Sequence, residues 1–482
     1  MRILFIVVTI IMAASFAYAD GVIIDDSYYK TKEYQKYKER SAIKANPHQK
    51  LTNYTGAMYC ERCHSGAIEE IMNSVHYQWE SDATGAVVDK SGNPLPAGTK
   101  VGKRHKIGSL PNTYPMANML AKLPMPNDKS KKISLGCAKC HVADGHIPVP
   151  YEKATFEQKN SIDCLICHSS EYDMKKHQIV NKGTKKKKKF RLLSDKSDKA
   201  LQSVGKPTVE ACMRCHYNVG GGPLFKRGVD YADDTDVHAL KGLACSDCHT
   251  PRPRKDHGMV RGPGIDLRNY DHFTEESTCV KCHSGKVHKE SRYDYYGAGR
   301  VACITCHVKS TGGLMKRDFT SYKKSPKSGM NLFKSVVKDE HSQSVVYKWW
   351  NEKNDGTFTP KGSFADGVSK LYAFKEFKQK IFVNTDGERL PTKNGLIFMK
   401  GEDAVKKAIL IAQKQGKFIG GKMENPGKKK PDLAGTKEIT EYFMVSHGVV
   451  PKEEALKCAD CHGDNPVINW NALGMKNPKY IK

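Results

Sequence analysis

One short motif, Cys-x-x-Cys-His, constrains the fold of this chain more than any other feature, because it occurs eight times and uses all sixteen cysteines. Seven copies lie between Cys60 and His307, and an eighth lies near the end of the chain. In chain order, motifs 1 to 8 are Cys60/Cys63/His64, Cys137/Cys140/His141, Cys164/Cys167/His168, Cys212/Cys215/His216, Cys245/Cys248/His249, Cys279/Cys282/His283, Cys303/Cys306/His307 and Cys458/Cys461/His462.

This motif is the attachment signature of c-type haem. Two thiols three residues apart can form thioethers with the two vinyl groups of one porphyrin, and the adjacent histidine then lies under the iron as proximal ligand. A disulfide framework or zinc ribbons would also use cysteines, but neither explains a histidine directly after every second cysteine. The sequence therefore predicts eight covalently bound haem c groups, each held by one motif.

The first residues have the pattern of a secretory signal peptide, which we place at residues 1–19. A short charged start precedes an apolar run, and the small-x-small sequence Ala17-Tyr18-Ala19 precedes Asp20. No later stretch approaches the roughly eighteen apolar residues of a membrane span, so we expect no transmembrane segment after signal cleavage. Because haem c is attached outside the bacterial cytoplasm, we expect a periplasmic or otherwise exported protein.

The motifs also predict the architecture. Eight flat macrocycles can fill an interior that the modest apolar content of the chain would leave thin. We expect a multihaem cytochrome c fold, mainly short α-helices and loops wrapped round eight covalent haems, with a small amount of β-structure in the 340–400 region. Residues 20–307 would be the haem-binding region with haems 1–7. Residues 308–482 would be an α/β segment, free of cysteine for about 150 residues, that returns to haem 8.

A helix is predicted directly after motif 1, because apolar residues from Ile68 to Trp79 recur at helical spacing. His76 lies on the apolar face of that helix. It is either a core histidine or a distal haem ligand, and we favour the ligand because eight irons need partners. The turn-rich stretch 85–127 that follows carries His105.

The segment after motif 7 has ordinary secondary-structure signals. Ser344–Trp350 and Lys370–Val383 are typical of strands, with a turn at Asp386-Gly387. The spacing of Val405, Ala408, Ile409 and Ala412 predicts a helix ended by Gly416. A second helix is expected to begin at Pro451 and to deliver Cys458.

The chain is strongly basic, with a formal net charge of +27. Two propionates on each ferric haem would lower this by about eight charges and leave a basic particle that favours acidic partners and anionic substrates. We expect no nucleic-acid partner for an exported haem protein. The five lysines at Lys185–Lys189 indicate a solvated loop, or else a docking site or the mouth of a substrate channel.

Histidine counting leaves the distal ligands open. Eight of the nineteen histidines are proximal, and the remaining eleven could fill every distal position. Electron-transfer haems usually have two strong axial ligands, whereas a catalytic haem keeps an open or weakly held sixth position. The spare histidines are His48, His76, His105, His146, His177, His238, His257, His272, His288, His341 and His447.

Beyond the motifs themselves, the chain resembles the octahaem cytochromes of the tetrathionate reductase family over most of its length after residue 20. The resemblance depends on the order of the eight motifs, on the long gap before the last, and on the residues around them. These are His76-Tyr77-Gln78-Trp79-Glu80, Asp163-Cys164-Leu165-Ile166-Cys167-His168, Cys215-His216-Tyr217-Asn218 with Gly220-Gly221-Gly222, Asp236-Val237-His238, Asp256-His257 with Arg261-Gly262, Val301-Ala302-Cys303, His447 and Pro451-Lys452-Glu453.

This resemblance implies a periplasmic enzyme in which seven haems are bis-histidine and the haem of Cys137/Cys140/His141 is the active site. Its distal ligand would be a displaceable lysine amine, matched here by Lys175 or Lys176, with His177 as a rival. Lys226 and Asp230 are further candidate pocket residues, which would steer an anion and supply protons. The distal histidines implied for other haems are His76, His105, His238, His257, His288 and His447, and one more from His272, His341 or His177.

One departure from the family pattern concerns the substrate. Tetrathionate-reducing members carry a free cysteine a few residues beyond the position of His105, and the matching segment Lys106–Asn112 has none. Nitrite and hydroxylamine therefore stand beside tetrathionate as candidate substrates. The Cys-x-x-Cys-Lys site typical of octahaem nitrite reductases is also absent from the sequence.

Three functions fit these observations. The first is a multihaem oxidoreductase that receives electrons from a donor cytochrome or a quinol-linked donor and reduces a small inorganic anion. The second is a conduit in which every haem is six-coordinate. The third is an oxidase that runs the reverse chemistry with the same motifs.

Overall fold

The structure is a computed structural model. It describes residues 46–78, 81–82, 88–89, 91–101, 121–125, 128–135, 140, 142–143, 148–184, 187, 190–217, 228–249, 257, 279, 282–283, 288, 300–326, 329–353, 359–390, 392, 394–414, 417–419, 422–424 and 432–478. The predicted signal peptide lies outside these residues, as do Cys137, His141, His105, His146, Lys226, His272 and Gly416. No helix within the described ranges is long and apolar enough to cross a membrane.

Short helices separated by turns make up most of the described chain up to residue 307, which we call the motif region. Their bounds are Ala57–Glu61 (α1), Ala67–Asn73 (α2), Val75–Gln78 (α3), Phe156–Asn160 (α4), Leu165–His168 (α5), Asp198–Gln202 (α6), Val209–His216 (α7), Val237–Leu240 (α8), Cys245–Cys248 (α9) and Cys303–His307 (α10). Three antiparallel ribbons accompany them, which are Ser81–Asp82 (β1) with Lys100–Val101 (β2), Ala121–Met125 (β3) with Asp128–Leu135 (β4), and Gln178–Asn181 (β5) with Phe190–Leu193 (β6).

The helix predicted after motif 1 is broken into α2 and α3. Ser74 lies between them in an extended conformation, and its hydroxyl donates to the carbonyl of Ile71 at 2.6 Å. A serine that bonds back to the preceding turn competes with the helical hydrogen-bond ladder, which explains the break. His76 therefore lies on the short helix α3, so its ring direction differs from that expected of one continuous helix.

A five-stranded sheet follows motif 7, and we call it the C-terminal sheet. Its strands are Ser310–Lys324 (β7), Asn331–Ser344 (β8), Val346–Trp350 (β9), Lys370–Val383 (β10) and Gly435–Met444 (β13). The order is β13-β10-β7-β8, with β9 also paired to β10. Helices Asn394–Lys400 (α11) and Val405–Lys414 (α12) and the ribbon Lys417–Ile419 (β11) with Lys422–Glu424 (β12) lie in the connection to β13.

Strand β10 is the centre of this sheet. It pairs with β13 along Phe374–Val383, with β7 along Lys378–Lys380 and with β9 along Lys370–Ala373. Its alternate residues from Leu371 to Val383 are all buried, including the polar Lys375 and Gln379, and Tyr372 and Phe374 are buried on the opposite face. The strands predicted in Ser344–Trp350 and Lys370–Val383 are confirmed, as is the turn at Asp386-Gly387, where Gly387 has a φ of 72°.

The β-content is larger than the sequence predicted, because strands β7 and β8 begin directly after motif 7. Their pairing contains register shifts at Thr311/Gly313, Leu314/Lys316 and Asp318/Tyr322. Each bulge breaks the alternation of inward and outward side chains on which the recognition of a strand from sequence depends.

The sheet packs directly on motifs 7 and 8. Its apolar core joins Trp350, Phe374 and Phe443 of the strands to Ile304 inside motif 7 and Cys461 inside motif 8. The segment before motif 8 runs along motif 7, where the backbone N–H of Val450 donates to the carbonyl of His307 at 2.9 Å and that of Leu456 to Cys306 at 3.0 Å. Motifs 7 and 8 are therefore held together by the C-terminal part of the chain.

The prediction that a helix begins at Pro451 is wrong. Residues 452–454 form a turn, and the helix is Cys458–His462 (α13). The Asp460 carboxylate accepts from the backbone N–H of Lys457 at 2.7 Å, which satisfies a donor at the helix start. This cap comes from inside the motif, so the helix begins at Cys458 and not at the proline.

Candidate haem-binding sites

Most of the described motifs fold as a single helical turn. The backbone N–H of His64 donates to the carbonyl of Cys60 at 2.9 Å, and His249 and Cys245 are joined in the same way at 2.8 Å. Residues at positions i, i+3 and i+4 of a helix share one face, so the two thiols and the imidazole of each motif lie on the same side. This is the arrangement that one porphyrin requires.

The second cysteines of motifs 1 and 6, Cys63 and Cys282, lie outside regular helices. Cys63 is exposed and Cys282 is half-buried. Both lie in turns, since α1 ends at Glu61, before Cys63. The N–H of Cys63 donates to the carbonyl of Cys60 at 3.0 Å, and that of Cys282 to Cys279 at 3.2 Å. Both stay predicted attachment sites, for haems whose edges would reach the surface.

Two motifs carry their own helix cap. The aspartate between the cysteines of motif 5, Asp247, accepts from the N–H of Ala244 at 2.7 Å, as Asp460 does in motif 8. Motif 4 is capped from outside, by the Thr208 hydroxyl on the N–H of Ala211 at 3.3 Å. These contacts fix where each helical turn starts and thereby orient the cysteines.

A second imidazole lies opposite the proximal imidazole of five motifs. The ring centres and the angles between ring planes are His48–His64 at 6.1 Å and 13°, His168–His257 at 6.0 Å and 50°, His76–His216 at 6.3 Å and 89°, His238–His283 at 6.1 Å and 62°, and His288–His307 at 6.4 Å and 26°.

These separations fit an iron between the two rings. An imidazole nitrogen binds a transition metal at about 2 Å, and the ring centre lies about 1 Å behind that nitrogen, so two rings on opposite faces of one iron have centres about 6 Å apart. Rings in direct contact would instead stack or cross at shorter spacings, as His462 and Trp470 do at 5.1 Å. The residues present therefore fit haem with two axial histidines.

Hydrogen bonds at Nδ1 orient several of these rings. Asn46 contacts Nδ1 of His48 at 2.9 Å, Asp236 contacts that of His238 at 3.1 Å, and Glu70 contacts that of His257 at 3.2 Å. A histidine that donates from Nδ1 carries its lone pair on Nε2, and such partners commonly fix the tautomer of metal-binding imidazoles.

His257 also has a strained backbone, with a φ of 44° in the left-handed region that residues other than glycine rarely adopt. Such strain concentrates at functional sites, where neighbouring contacts compensate for it. The positions of its ring beside Glu70 and opposite His168 provide that compensation.

Asp236 ties the ring of His238 to the loop that carries His447. Its carboxylate accepts from the N–H groups of Gly448 at 2.9 Å and Val449 at 3.1 Å. Burial opposes its ionisation, but the hydrogen bonds from His238 and Val449 outweigh burial and lower the pKa of Asp236. An ionised carboxylate is therefore available to hold the imidazole.

His447 lies beside motif 5. Its ring centre is 5.9 Å from that of Tyr231, and the Tyr231 hydroxyl donates to the carbonyl of Leu243 at 2.8 Å, just before that motif. Asp230 is in the same neighbourhood, since its carboxylate accepts from the N–H of Tyr231 at 2.9 Å. Candidate residue Asp230 is thus close to motif 5.

The candidate lysines lie beside motif 3. Lys175 is exposed, and its backbone N–H donates to Asp173 at 2.8 Å. The Lys176 ammonium, half exposed, lies 3.1 Å from the buried carboxylate of Asp195. His141, the histidine of motif 2 that either lysine would face, lies outside the described residues.

His177 belongs to a buried polar cluster with Tyr172 and Asp163. The Tyr172 hydroxyl donates to the Asp163 carboxylate, and Nδ1 of His177 lies 2.9 Å from the same hydroxyl. Burial, with the nearby Asp163 charge, raises the pKa of Tyr172, so the phenol keeps its proton. The backbone N–H of Asp163 donates at 2.7 Å to the carbonyl of Val142, the residue after His141. This cluster therefore connects the segments of motifs 2 and 3.

Cysteines of different motifs lie near one another. The pairs whose thiols interact directly are Cys60 with Cys164, Cys140 with Cys215, Cys212 with Cys245, and Cys279 with Cys303. The pairs whose thiols interact only through their charges are Cys167 with Cys212, Cys248 with Cys279, and Cys306 with Cys458. Every motif is therefore adjacent to at least one other.

Sequence reasoning missed His48, which was one of the spare histidines but was not selected as a ligand. The signal in the sequence is the turn Asn46-Pro47-His48, in which the asparagine side chain accepts from the N–H of His48 at 3.0 Å. His341, a candidate for the last distal position, is exposed on β8 with its Nδ1 2.7 Å from the Ser310 hydroxyl.

Comparisons with known proteins concern the fold and the cofactor. The family model for cytochrome c554 and c-prime matches residues 163–250, and the model for bacterial cytochrome c matches residues 356–465. The crystal structure of an octahaem cytochrome c from Shewanella oneidensis is similar with a TM-score of 0.60 and 22% identity, over 90% of this chain and 97% of that one. The chain has a multihaem cytochrome c fold. These similarities support covalent haem c as cofactor and a role in electron transfer or redox chemistry.

A protein of Archaeoglobus fulgidus described as uncharacterised is 25% identical over 301 aligned residues. The alignment spans 55% of this chain and 97% of that protein.

Proposed function

We propose that the protein is an exported octahaem cytochrome c that carries electrons along a chain of haems with two axial histidines. The observation that carries this proposal is the set of five imidazole pairs, each with ring centres 6.0–6.4 Å apart. Two strong axial ligands keep iron low-spin and change little on reduction, which suits electron transfer. The distal ligands would be His48 for haem 1, His257 for haem 3, His76 for haem 4, His238 for haem 6 and His288 for haem 7.

The remaining ligands are assigned from position. His447 serves haem 5, because Tyr231 links it to that motif. Only haem 8 is then left without a distal ligand, and His105, His272, His341 and His177 stay the candidates for it, with Lys175 or Lys176 on haem 2. The bound haems would supply the iron that carries each electron. The histidines of the protein would hold each haem from its two faces.

The contacts between cysteines of different motifs define the path. A thioether sulfur would lie at the edge of its porphyrin, so neighbouring attachment cysteines would bring two haem edges close together. The paired cysteines connect haems 1, 3, 4, 5, 6, 7 and 8 in that order, and Cys140 with Cys215 joins haem 2 to haem 4. Electrons can then pass from either end of this series to haem 2.

A second candidate function, reduction of a small inorganic sulfur or nitrogen compound at haem 2, is favoured by the buried Asp163–Tyr172–His177 cluster. The backbone N–H of its aspartate donates to the carbonyl of Val142, the residue after His141. Reduction of nitrite or hydroxylamine consumes protons as well as electrons, whereas reduction of tetrathionate to two thiosulfate ions consumes electrons alone. With the Tyr172 hydroxyl donating to Asp163, the Nδ1–H of His177 can donate to the phenol oxygen, which gives a route for a proton as far as the Asp163 carboxylate beside motif 3.

The signal-like first residues and the attachment chemistry support a periplasmic location, and the net charge of +27 supports an acidic electron donor, either another cytochrome or a quinol-linked protein. The resemblance of the sequence to the tetrathionate reductase family supports reduction of the substrate and not its oxidation.

Low-temperature electron paramagnetic resonance (EPR) of the oxidised holoprotein, with and without tetrathionate, nitrite and hydroxylamine, tests both candidates. The conduit predicts low-spin signals that none of the three compounds changes. The reductase predicts one haem whose signal shifts and reduced holoprotein that is reoxidised by the same compound. Predominantly high-spin iron would contradict both.

A further inference from the structure

Motif 4 lies where three parts of the haem series meet. Its first cysteine, Cys212, lies beside Cys245 of motif 5, and the charges of Cys212 and Cys167 of motif 3 interact. Its second, Cys215, lies beside Cys140 of motif 2. The ion pair between Lys206 and Asp247, at 3.0 Å, further joins the segments of motifs 4 and 5. Haem 4 would therefore touch haems 2, 3 and 5.

The axial rings of motif 4 are crossed more strongly than those of the other described pairs. His76 and His216 meet at 89°, whereas His48 and His64 of motif 1 are nearly parallel at 13°. Parallel imidazoles interact with the same iron d orbital and split it from its partner, which stabilises ferric iron. Crossed imidazoles leave the two orbitals nearly equal in energy. Crossed rings thus favour the ferrous state and move the ferric EPR signal to low field.

A fixed positive charge lies between motifs 3 and 4. The Arg214 guanidinium donates to the carbonyls of Ile166 at 2.6 Å and Ser169 at 2.8 Å, so it is held against the helix of motif 3. Its charge favours the ionised thiols of Cys167 and Cys212, while the buried Asp163 carboxylate acts with the opposite sign on Cys167 and on Cys215. Since reduction adds an electron, a nearby cation stabilises the reduced haem.

Motif 1 carries charges of both signs between its cysteines. The Glu61 carboxylate adjoins Cys60 and is held by the N–H groups of Gly66 at 2.6 Å and Ile68 at 3.1 Å, and the Arg62 guanidinium lies 4.3 Å from the ring centre of Tyr59. The nearly parallel rings are therefore the feature that stabilises ferric iron there. Glu210 also acts on Cys212 of motif 4, but with the opposite sign to Arg214. Among the described ring pairs, that of motif 4 is the closest to perpendicular.

We propose that His76, His216 and Arg214 make haem 4 the electron-collecting branch point of the protein, with a higher reduction potential than haem 1. This inference rests on the proposed electron-transfer function. One-electron transfers from the arm of haems 3 and 1 and from the arm of haems 5 to 8 would converge there. Haem 2 could then draw electrons in succession from a reduced neighbour, as a multi-electron reduction requires.

The test is a redox titration of the holoprotein followed by low-temperature EPR. The signal at lowest field, from the most strongly crossed rings, is expected to disappear at a higher potential than the rhombic signal of near-parallel rings. Arg214→Gln should lower the midpoint of the lowest-field signal. Arg214→Lys keeps the charge and should leave that midpoint close to the unmodified value. Arg191→Gln, which removes a partly exposed arginine 3.6 Å from the exposed Glu157, is the control and should change neither signal.

Reduction of the lowest-field signal together with or after the rhombic one would overturn the branch-point inference while leaving the electron-transfer function intact. Equal midpoints in Arg214→Gln and the unmodified protein would exclude the role of the arginine charge. Absence of low-spin signals altogether would instead contradict the proposed function itself.

Discussion

The motif region and the C-terminal sheet bury different kinds of surface. The sheet has a continuous apolar core with large aromatic residues such as Trp350, Phe374 and Phe443. The motif region has two smaller described clusters, one around Met72 and Tyr77 and another around Leu165 and Leu201. Between these clusters lie facing imidazoles and paired cysteines. The comparison indicates that the sheet is held by side-chain packing, whereas the motif region depends on its haems.

The largest effect is expected from preventing haem attachment. In protein produced without the attachment machinery, the motif region loses the groups that fill the space between its short helices, while the sheet retains its apolar core. Limited trypsin digestion should therefore remove most of residues 46–300 and leave a resistant fragment that contains the C-terminal sheet. Digestion of both regions at the same rate would show that the sheet also needs haem.

Shortening a side chain in the sheet should destabilise that region strongly. Phe374 is fully buried on β10, and Phe374→Ala is expected to lower the free energy of unfolding by about 3–5 kcal/mol. Guanidinium denaturation followed by far-UV circular dichroism measures this loss. Phe156→Ala, at a position 68% exposed in the motif region, is the matched control and should change stability little. Equal losses would contradict the assigned core.

A buried lysine in the sheet makes stability depend on pH. Burial lowers the pKa of Lys375 to about 7 from 10.5, so the folded protein binds fewer protons than the unfolded chain between these values and its stability rises with pH there. Lys375→Met should raise the free energy of unfolding by on the order of 3 kcal/mol at pH 7, with the gain disappearing towards pH 10. Lys378→Met, at an exposed position of β10, should show no such pH dependence.

In the motif region the smallest predicted change concerns the buried polar cluster. Tyr172→Phe removes the hydroxyl that joins Asp163 to His177 and is expected to cost about 1–3 kcal/mol. If haem 2 reduces a substrate, the variant should also lose turnover more than tenfold under proton-limited conditions, because the route for the proton is broken. Tyr59→Phe, which removes an exposed hydrogen bond to the carbonyl of Thr52, is the control. Unchanged stability would show that the cluster does not hold these segments together.

The sequence predicted the motifs and the strands in Ser344–Trp350 and Lys370–Val383, because each depends on local spacing and composition. It did not predict which distal histidine faces which motif. His76 and His216 are far apart along the chain, and their pairing is created by the packing of α3 near α7. Strand β7 was missed because its bulges break the alternation of apolar residues. The Asp163–Tyr172–His177 cluster has no local pattern that would reveal it.

The most direct test of the account is the iron spin state in His48→Ala, because His48 was identified from its position opposite His64 and not from its sequence context. Low-temperature EPR of the oxidised variant, with its haem content and far-UV circular dichroism unchanged from the unmodified protein, should show that one low-spin haem has become high-spin. Added imidazole should restore the low-spin signal. A variant whose full set of low-spin signals is retained would contradict the assignment of facing imidazoles as axial ligand pairs.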